Sequence, residues 1–173
     1  MTRTDCEALD AQDPLARLRE QFVLPAGTIY LDGNSLGVLP AATAARVQEV
    51  LTREWGEDLI TSWNKAGWIH LPQRVGDKIG RLVGARPGET LAADSTSVNL
   101  YKVLSAALDM VKRDAAPARR RIVSERHNFP TDLYIAQSLA AQHGFTLELV
   151  EPDEIAARID DRLAVLMLTQ VNY

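Results

Sequence analysis

From residue 90 to residue 168 the chain alternates short apolar runs with longer stretches of helical period, and this alternation restricts the available folds more than any other feature. Strands are expected over residues 90–93, 121–124, 145–150 and 163–168. Between the first two, Val98, Tyr101, Leu104, Leu108 and Val111 recur at spacings of three, three, four and three, one apolar face of a 3.6-residue period. The next interval carries Leu133, Ile135, Ala136 and Leu139 up to Gly144, and a short helix is expected over residues 153–159. Strand–helix alternation of this kind predicts an α/β fold whose mostly parallel sheet is covered by helices on both faces. Its crossovers are right-handed, and ligands collect beyond the carboxyl ends of the strands. Three polar segments follow expected strands, at residues 94–97, 126–132 and 169–173, and all three are expected at one edge of the sheet.

The first half is less regular. Pro14 precedes a helical pattern through Leu15, Leu18 and Phe22, with a short strand at residues 28–31. Asp32-Gly-Asn-Ser-Leu-Gly37 is a turn whose glycines admit geometries closed to other residues. Pro40 opens a helix over residues 41–54 with Ala45, Val47, Val50 and Leu51 as candidate buried positions. Residues 55–68 read as irregular and hold all three tryptophans, Trp55, Trp63 and Trp68; a helix over 73–83 then stops at Gly84. Tryptophans between helices usually plug a core, but Trp63 sits in a Ser-Trp-Asn-Lys-Ala-Gly loop and is expected to line a cleft.

With 173 residues, 46% of them hydrophobic and 24% charged, the chain can build a real core. A net charge of −4 and a pI near 5.4 disfavour nucleic-acid or polybasic membrane surfaces, so neither partner is expected. The basic run at residues 119–121 reads as a solvated strand edge. A lone cysteine, Cys6, in an N-terminal segment expected to be mobile, excludes a disulfide framework and suits a reducing cytoplasm. No apolar run approaches the ~20 residues of a membrane helix. The last strand pattern stops with nothing to cover it, so the sequence is expected to be the first part of a longer protein.

Two segments carry candidate chemistry. Thr96 and Ser97 begin a helix, where hydroxyls either cap the free N–H groups or, turned into a cleft with them, bind an anion such as phosphate. Phe129 precedes Pro130, which holds it extended; its ring either staples the following helix or stacks on a planar cofactor. Asp132 is most simply a helix cap, and beside such a ring its carboxylate favours a protonated heterocycle. His70, next to Trp68 and Leu71, is more simply packed than functional, and His127 is equally open. No residue set suggests a metal site.

Taken together, Tyr30-Leu-Asp-Gly-Asn-Ser-Leu-Gly37, the Ser97-Val-Asn-Leu100 helix start and His127-Asn-Phe-Pro-Thr-Asp132 resemble the kynureninases, from about Ala11 to Tyr173. That resemblance implies a three-layer, fold-type-I pyridoxal-phosphate-dependent transferase architecture, here truncated. Residues 1–60 would form the N-terminal segment and helices of the small domain or dimer arm, and 61–173 the first part of the large cofactor domain. It implies pyridoxal 5'-phosphate held by Thr96 and Ser97 at the phosphate, by Phe129 stacked on the ring, and by Pro130, Thr131, Asp132 and Thr169 around it. Asn34, Ser35 and Trp63 would form the substrate side, orienting L-kynurenine or flanking its aminophenyl ring. The implied reaction is hydrolysis of the Cβ–Cγ bond of L-kynurenine to anthranilate and L-alanine, in tryptophan catabolism and NAD biosynthesis, by a cytoplasmic homodimer. Preference between kynurenine and its 3-hydroxy analogue is not legible. The lysine that binds the cofactor, its neighbouring tyrosine and the aspartate on the ring nitrogen are expected beyond residue 173, so no catalytic residue is assigned; Lys65, Lys78, Lys102 and Lys112 stand in unmatched contexts.

Other readings are a cysteine desulfurase-like or related lyase of the same fold, which usually has histidine in place of Phe129, and a non-catalytic α/β fragment. A dinucleotide- or nucleotide-binding domain lacks its glycine-rich fingerprint and P-loop lysine here.

Overall fold

The computed structural model describes residues 1–114 and 118–170; Pro117, expected in a loop, and residues 171–173 of the last polar segment lie outside the described residues. The chain divides into two units, Met1–Gly88 and Glu89–Tyr173.

In the first unit, Thr2 and Asp5 cap each other's backbone: the Thr2 N–H donates to Asp5 Oδ2 at 2.7 Å and the Asp5 N–H to Thr2 Oγ1 at 3.3 Å. This reciprocal box starts α1, Arg3–Gln12, so Cys6 lies exposed on a helix. The helix expected after Pro14 is a 3₁₀ turn, Ala16–Gln21. It leads into β1, Phe22–Val23, which pairs antiparallel with β2, Leu39–Pro40. Residues 28–31 join no ladder; among the described residues no strand pairs with them, and extended backbone without a partner is not a strand.

The helix expected over 41–54 forms as α2, Thr43–Glu49, prolonged by a π-helical turn, Val50–Trp55. Its apolar stripe is present but uncovered: Val47 is 51% and Leu51 47% exposed, Ala45 is exposed and Val50 half-buried. Within this unit no described element lies over that stripe. What this end of the helix buries is a charge. The Glu54 carboxylate, only 3% exposed, accepts from Arg46 Nη1 at 2.8 Å and from Trp68 Nε1 at 2.6 Å, with Arg53 Nη2 at 3.4 Å. Ser62 Oγ, fully buried, donates to the Glu54 carbonyl at 2.6 Å. These bonds order the stretch expected to be irregular, so Trp63 sits on a one-turn helix, α3, Ser62–Lys65, and not in a loop. α4, Leu71–Val83, has Pro72 in its first turn and ends at Gly84, whose φ of +77° is the left-handed stop.

The second unit contains α5 (Thr96–Arg113), β3 (Arg121–Glu125), α6 (Pro130–His143), β4 (Thr146–Val150) and β5 (Leu163–Met167). The strands form one parallel sheet in the order β4-β3-β5, three strands where four were expected. Residues 90–93 form no ladder, for want of a described neighbour to pair with. Alternation along β3 turns Ile122 and Ser124 to one face and Arg121 and Val123 to the other. On the first face Leu104, Leu108 and Val111 of α5 and Ala136, Leu139 and Ala140 of α6 close over Ile122, Phe145 and Met167. Val98 and Tyr101, at the start of the α5 stripe, stay 43% and 52% exposed.

The connection from β4 to β5 carries two 3₁₀ turns, Pro152–Glu154 and Ala156–Arg158, in place of the expected short helix. It crosses the second face, where Arg158 Nε meets Glu148 at 2.6 Å and Arg121 reaches Glu148 at 3.3 Å and Asp160 at 2.7 Å. The basic run is therefore structural: the Arg121 side chain is 12% exposed and paired, Arg120 stacks 5.0 Å over the Phe145 ring, and Arg119 Nε donates to the Leu163 carbonyl at 2.9 Å. Long arginine stems lie along the sheet while their heads find a carbonyl, an aromatic ring and, for Arg121, two carboxylates, which a solvated edge would not require.

Leu108→Ala in the intact protein should cost about 2–5 kcal/mol in denaturant unfolding of the unit that contains it, because Leu108 is fully enclosed. Val103→Ala on the same helix, 68% exposed, should change it by no more than about 0.5 kcal/mol; equal losses would contradict the helix face assigned here. Arg46, then Trp68, holds the Glu54 carboxyl below the ordinary carboxylate range. Its stabilising effect is therefore complete above the usual glutamate value, about 4.3, and fades as pH falls through the lowered native value. Glu54→Gln should lower Tm at neutral pH and converge on the parent in acid; a gap that persists in acid would contradict this network.

Candidate functional site

The start of α5 is organised by residues around Thr96 and Ser97, leaving those two unengaged. Ser95, in extended geometry, is the cap: its Oγ accepts from the Val98 N–H at 3.4 Å. Asn99 Nδ2 donates to the Ala93 carbonyl at 2.6 Å and ties the approach to the helix. Thr96 and Ser97 thus hold the first two helical positions, whose N–H groups have no intrahelical acceptor. Among the described residues no hydrogen bond engages either hydroxyl. The first turn contains no acidic residue, and the nearby Asp94, in the left-handed region at φ +45°, is ion-paired with Lys102. Two hydroxyls, two free N–H groups and a neutralised carboxylate make this end receptive to an anion.

The start of α6 has the opposite character. Phe129 is its cap residue, with φ −54° and ψ 131°, one position too late for a hydrophobic staple, and its ring is 37% exposed. Pro130 brings no N–H, Thr131 is exposed, and Asp132 adds a carboxylate in the first turn; Asp132 is not the cap. Behind this turn lies Asn128, 3% exposed. Its Oδ1 accepts from the Phe129 N–H at 2.7 Å and from Thr169 Oγ1 at 2.5 Å, and its Nδ2 donates to the fully buried Ser124 Oγ at 3.1 Å.

These starts share one edge of the sheet. Lys112 Nζ lies 2.7 Å from His143 Nδ1, and Asp109 is 3.8 Å from the same nitrogen, so the last turns of α5 and α6 are side by side. Both helices lie on the same face, and at ~1.5 Å per residue both run back to the edge where the strands end. Thr169 follows β5 at that edge. Beside it Glu125, His127, Pro152, Thr169 and Gln170 line an opening of about 280 Å³. His127 is largely exposed, 3.7 Å from Glu151.

Asn34, Ser35 and Trp63 belong to the other unit. Ser35 Oγ donates to Asp32 Oδ1 at 2.8 Å, and Tyr30 clamps the same turn through the Asp32 and Leu36 carbonyls at 2.9 and 2.6 Å. Asn34 is exposed on the turn, and Trp63 is 48% exposed on α3. Among the described residues no hydrogen bond joins that turn to Trp63. His70 is exposed, not packed. Asn128 and Ser124, inside the 127–132 motif and the 121–124 strand, carry no assigned role in the sequence; the signal for Ser124 is a small polar residue ending an otherwise apolar strand.

Among the described residues no group of three or more His, Cys, Asp or Glu is placed to hold a metal, and no helix is long and apolar enough to cross a membrane.

The fold and the edge define an α/β protein with a three-stranded parallel sheet, one helix start receptive to an anion and another presenting an aromatic ring. The chain is 58% identical, over 99% of its length, to a kynureninase of Pseudomonas fluorescens, 57% identical to one of Burkholderia pseudomallei (strain K96243) and 56% identical to one of Burkholderia mallei (strain ATCC 23344). It spans 42% of the length of each of these relatives, and the resemblance read from its motifs extends along nearly the whole chain. No protein-family model matches it.

Proposed function

We propose that this chain is part of a pyridoxal-phosphate-dependent kynureninase of fold type I, which hydrolyses the Cβ–Cγ bond of L-kynurenine to anthranilate and L-alanine. The observation that carries the reading is the unengaged pair Thr96 and Ser97 at a helix start capped by Ser95, in a chain 58% identical to a named kynureninase. A capping role would have consumed those hydroxyls. Left free beside two N–H groups, they suit a phosphate.

The donor set fits the group. Thr96 and Ser97 hold the phosphate, the exposed Phe129 ring stacks on the pyridine ring, and Pro130 and Thr131 shape the wall beside it. Asp132, in the α6 first turn, favours the protonated form of the ring by its opposite charge. Thr169, at the mouth of β5, is a further contact. Bound pyridoxal phosphate supplies the electron sink for carbanion chemistry, while the protein orients the reactants and excludes competing paths. Asn34, Ser35 and Trp63 take the substrate side, the two polar groups orienting the amino acid and the indole flanking its aminophenyl ring. In the same reading residues 1–60 belong to the small domain or dimer arm and 61–173 to the large domain of a cytoplasmic homodimer acting in tryptophan catabolism and NAD biosynthesis.

Added pyridoxal phosphate should give the full-length protein a visible absorption band. Phe129→Ala should weaken retention by about tenfold, the scale of losing one stacked aromatic contact, and Thr96→Ala with Ser97→Ala should weaken it further, both read by equilibrium dialysis. Unchanged affinity in both would reduce these residues to a surface ring and idle hydroxyls. L-kynurenine should be converted to anthranilate, followed by its fluorescence; comparison with 3-hydroxykynurenine sets the ring preference, and turnover of neither would overturn the reading.

A further inference from the structure

The buried Asn128 amide contacts no bound group in the proposed site, yet it touches two of its members, Phe129 and Thr169. We propose that Asn128 is a positioning residue: its carboxamide fixes the Phe129 turn and the Thr169 hydroxyl relative to each other, and thereby the aromatic wall relative to the far side of the cofactor cleft. The proposal rests on the pyridoxal-phosphate reading above.

The hydrogen-bond inventory determines the arrangement. The Phe129 N–H can only donate, so the group facing it at 2.7 Å must be the amide oxygen; a flipped amide would oppose two N–H groups. The same oxygen has no hydrogen to give, so at 2.5 Å the Thr169 hydroxyl is the donor. Its proton is committed inward, and toward the cleft Thr169 offers lone pairs alone. The amide nitrogen is anchored on Ser124 Oγ at 3.1 Å, inside β3, the central strand. One side chain thus joins the end of β3, the start of α6 and the mouth of β5 across 41 residues of sequence. With Asn128 at 3% and Ser124 at 0% exposure, the amide and its anchor on β3 are shielded from water.

Asparagine suits this position because it accepts twice and donates once. Alanine leaves the Phe129 N–H and the Thr169 hydroxyl without their acceptor. Aspartate keeps that acceptor, and the Ser124 hydroxyl can rotate to donate to it.

The test uses the full-length protein and pyridoxal 5'-phosphate. Asn128→Ala should weaken cofactor retention about tenfold and diminish the visible circular dichroism of the bound cofactor, which reports its asymmetric setting. Asn128→Asp should restore most of both. Because the residues act as one network, Asn128→Ala combined with Thr169→Val should lose less than the product of the two single losses. Should Asn128→Ala not fold, Asn128→Asp and Thr169→Val carry the test: near-parental dichroism in the first and a diminished band in the second support the role. Parental affinity and dichroism in Asn128→Ala, or strictly multiplicative losses, would overturn the role of Asn128 while leaving the cofactor assignment intact. A parent protein that takes up no pyridoxal phosphate would overturn both.

Discussion

The second unit depends on the double pairing of β3. This strand hydrogen-bonds in parallel on both edges and is closed on both faces, with Ile122 under the helices and Val123 fully buried on the opposite face. Parallel neighbours require crossovers, and right-handed crossovers running in opposite directions along a sheet must use opposite faces. The route to β4 therefore runs through α6 on one side, and the return to β5 runs over Glu148 and Arg121 on the other. Where those paths separate, the backbone parts at the carboxyl end of β3. Such a parting, where ligands of open α/β sheets collect, follows from chain topology before any side chain is considered.

Side chains then give the cleft a polarity. The α5 start lacks acidic residues and has its nearest carboxylate tied to Lys102. The α6 start loses one donor to proline, commits another to Asn128, and adds Asp132. Two helix termini with the same intrinsic dipole thus present opposite preferences, because local residues outweigh a partial charge of about half a unit.

Much of this unit was legible because its periodicities are strong. Leu104, Leu108 and Val111 followed the helical repeat into the core, and β3, β4 and β5 fall within a residue or two of their apolar runs. The misses have physical causes. Residues 90–93 have strand-like composition, but a strand exists only with a partner, and composition does not name one. Val47 and Leu51 keep the right spacing on a face that their own unit leaves open. The Thr2–Asp5 box was readable and overlooked, whereas the knot around Glu54 was not readable: it joins Arg46, Ser62 and Trp68 through tertiary approach. In the proposed site, the hydroxyls at 96 and 97 fall at one helix start and the aromatic at 129 precedes proline at another. The Asn128 amide joins Phe129 to Thr169, a link no local pattern names because residue 169 is brought near it only by folding.

The Phe129 side chain emerges from a cap residue whose backbone is fixed on both sides, by proline ahead and by a buried acceptor behind. A planar guest lying on that ring in the proposed manner would have one of its two faces shielded. Bond formation and proton delivery would then be confined to the opposite side. An intrinsically symmetric sheet of π electrons would acquire handedness from a single benzyl group, and the stereochemical course of the reaction would be settled by where one helix begins.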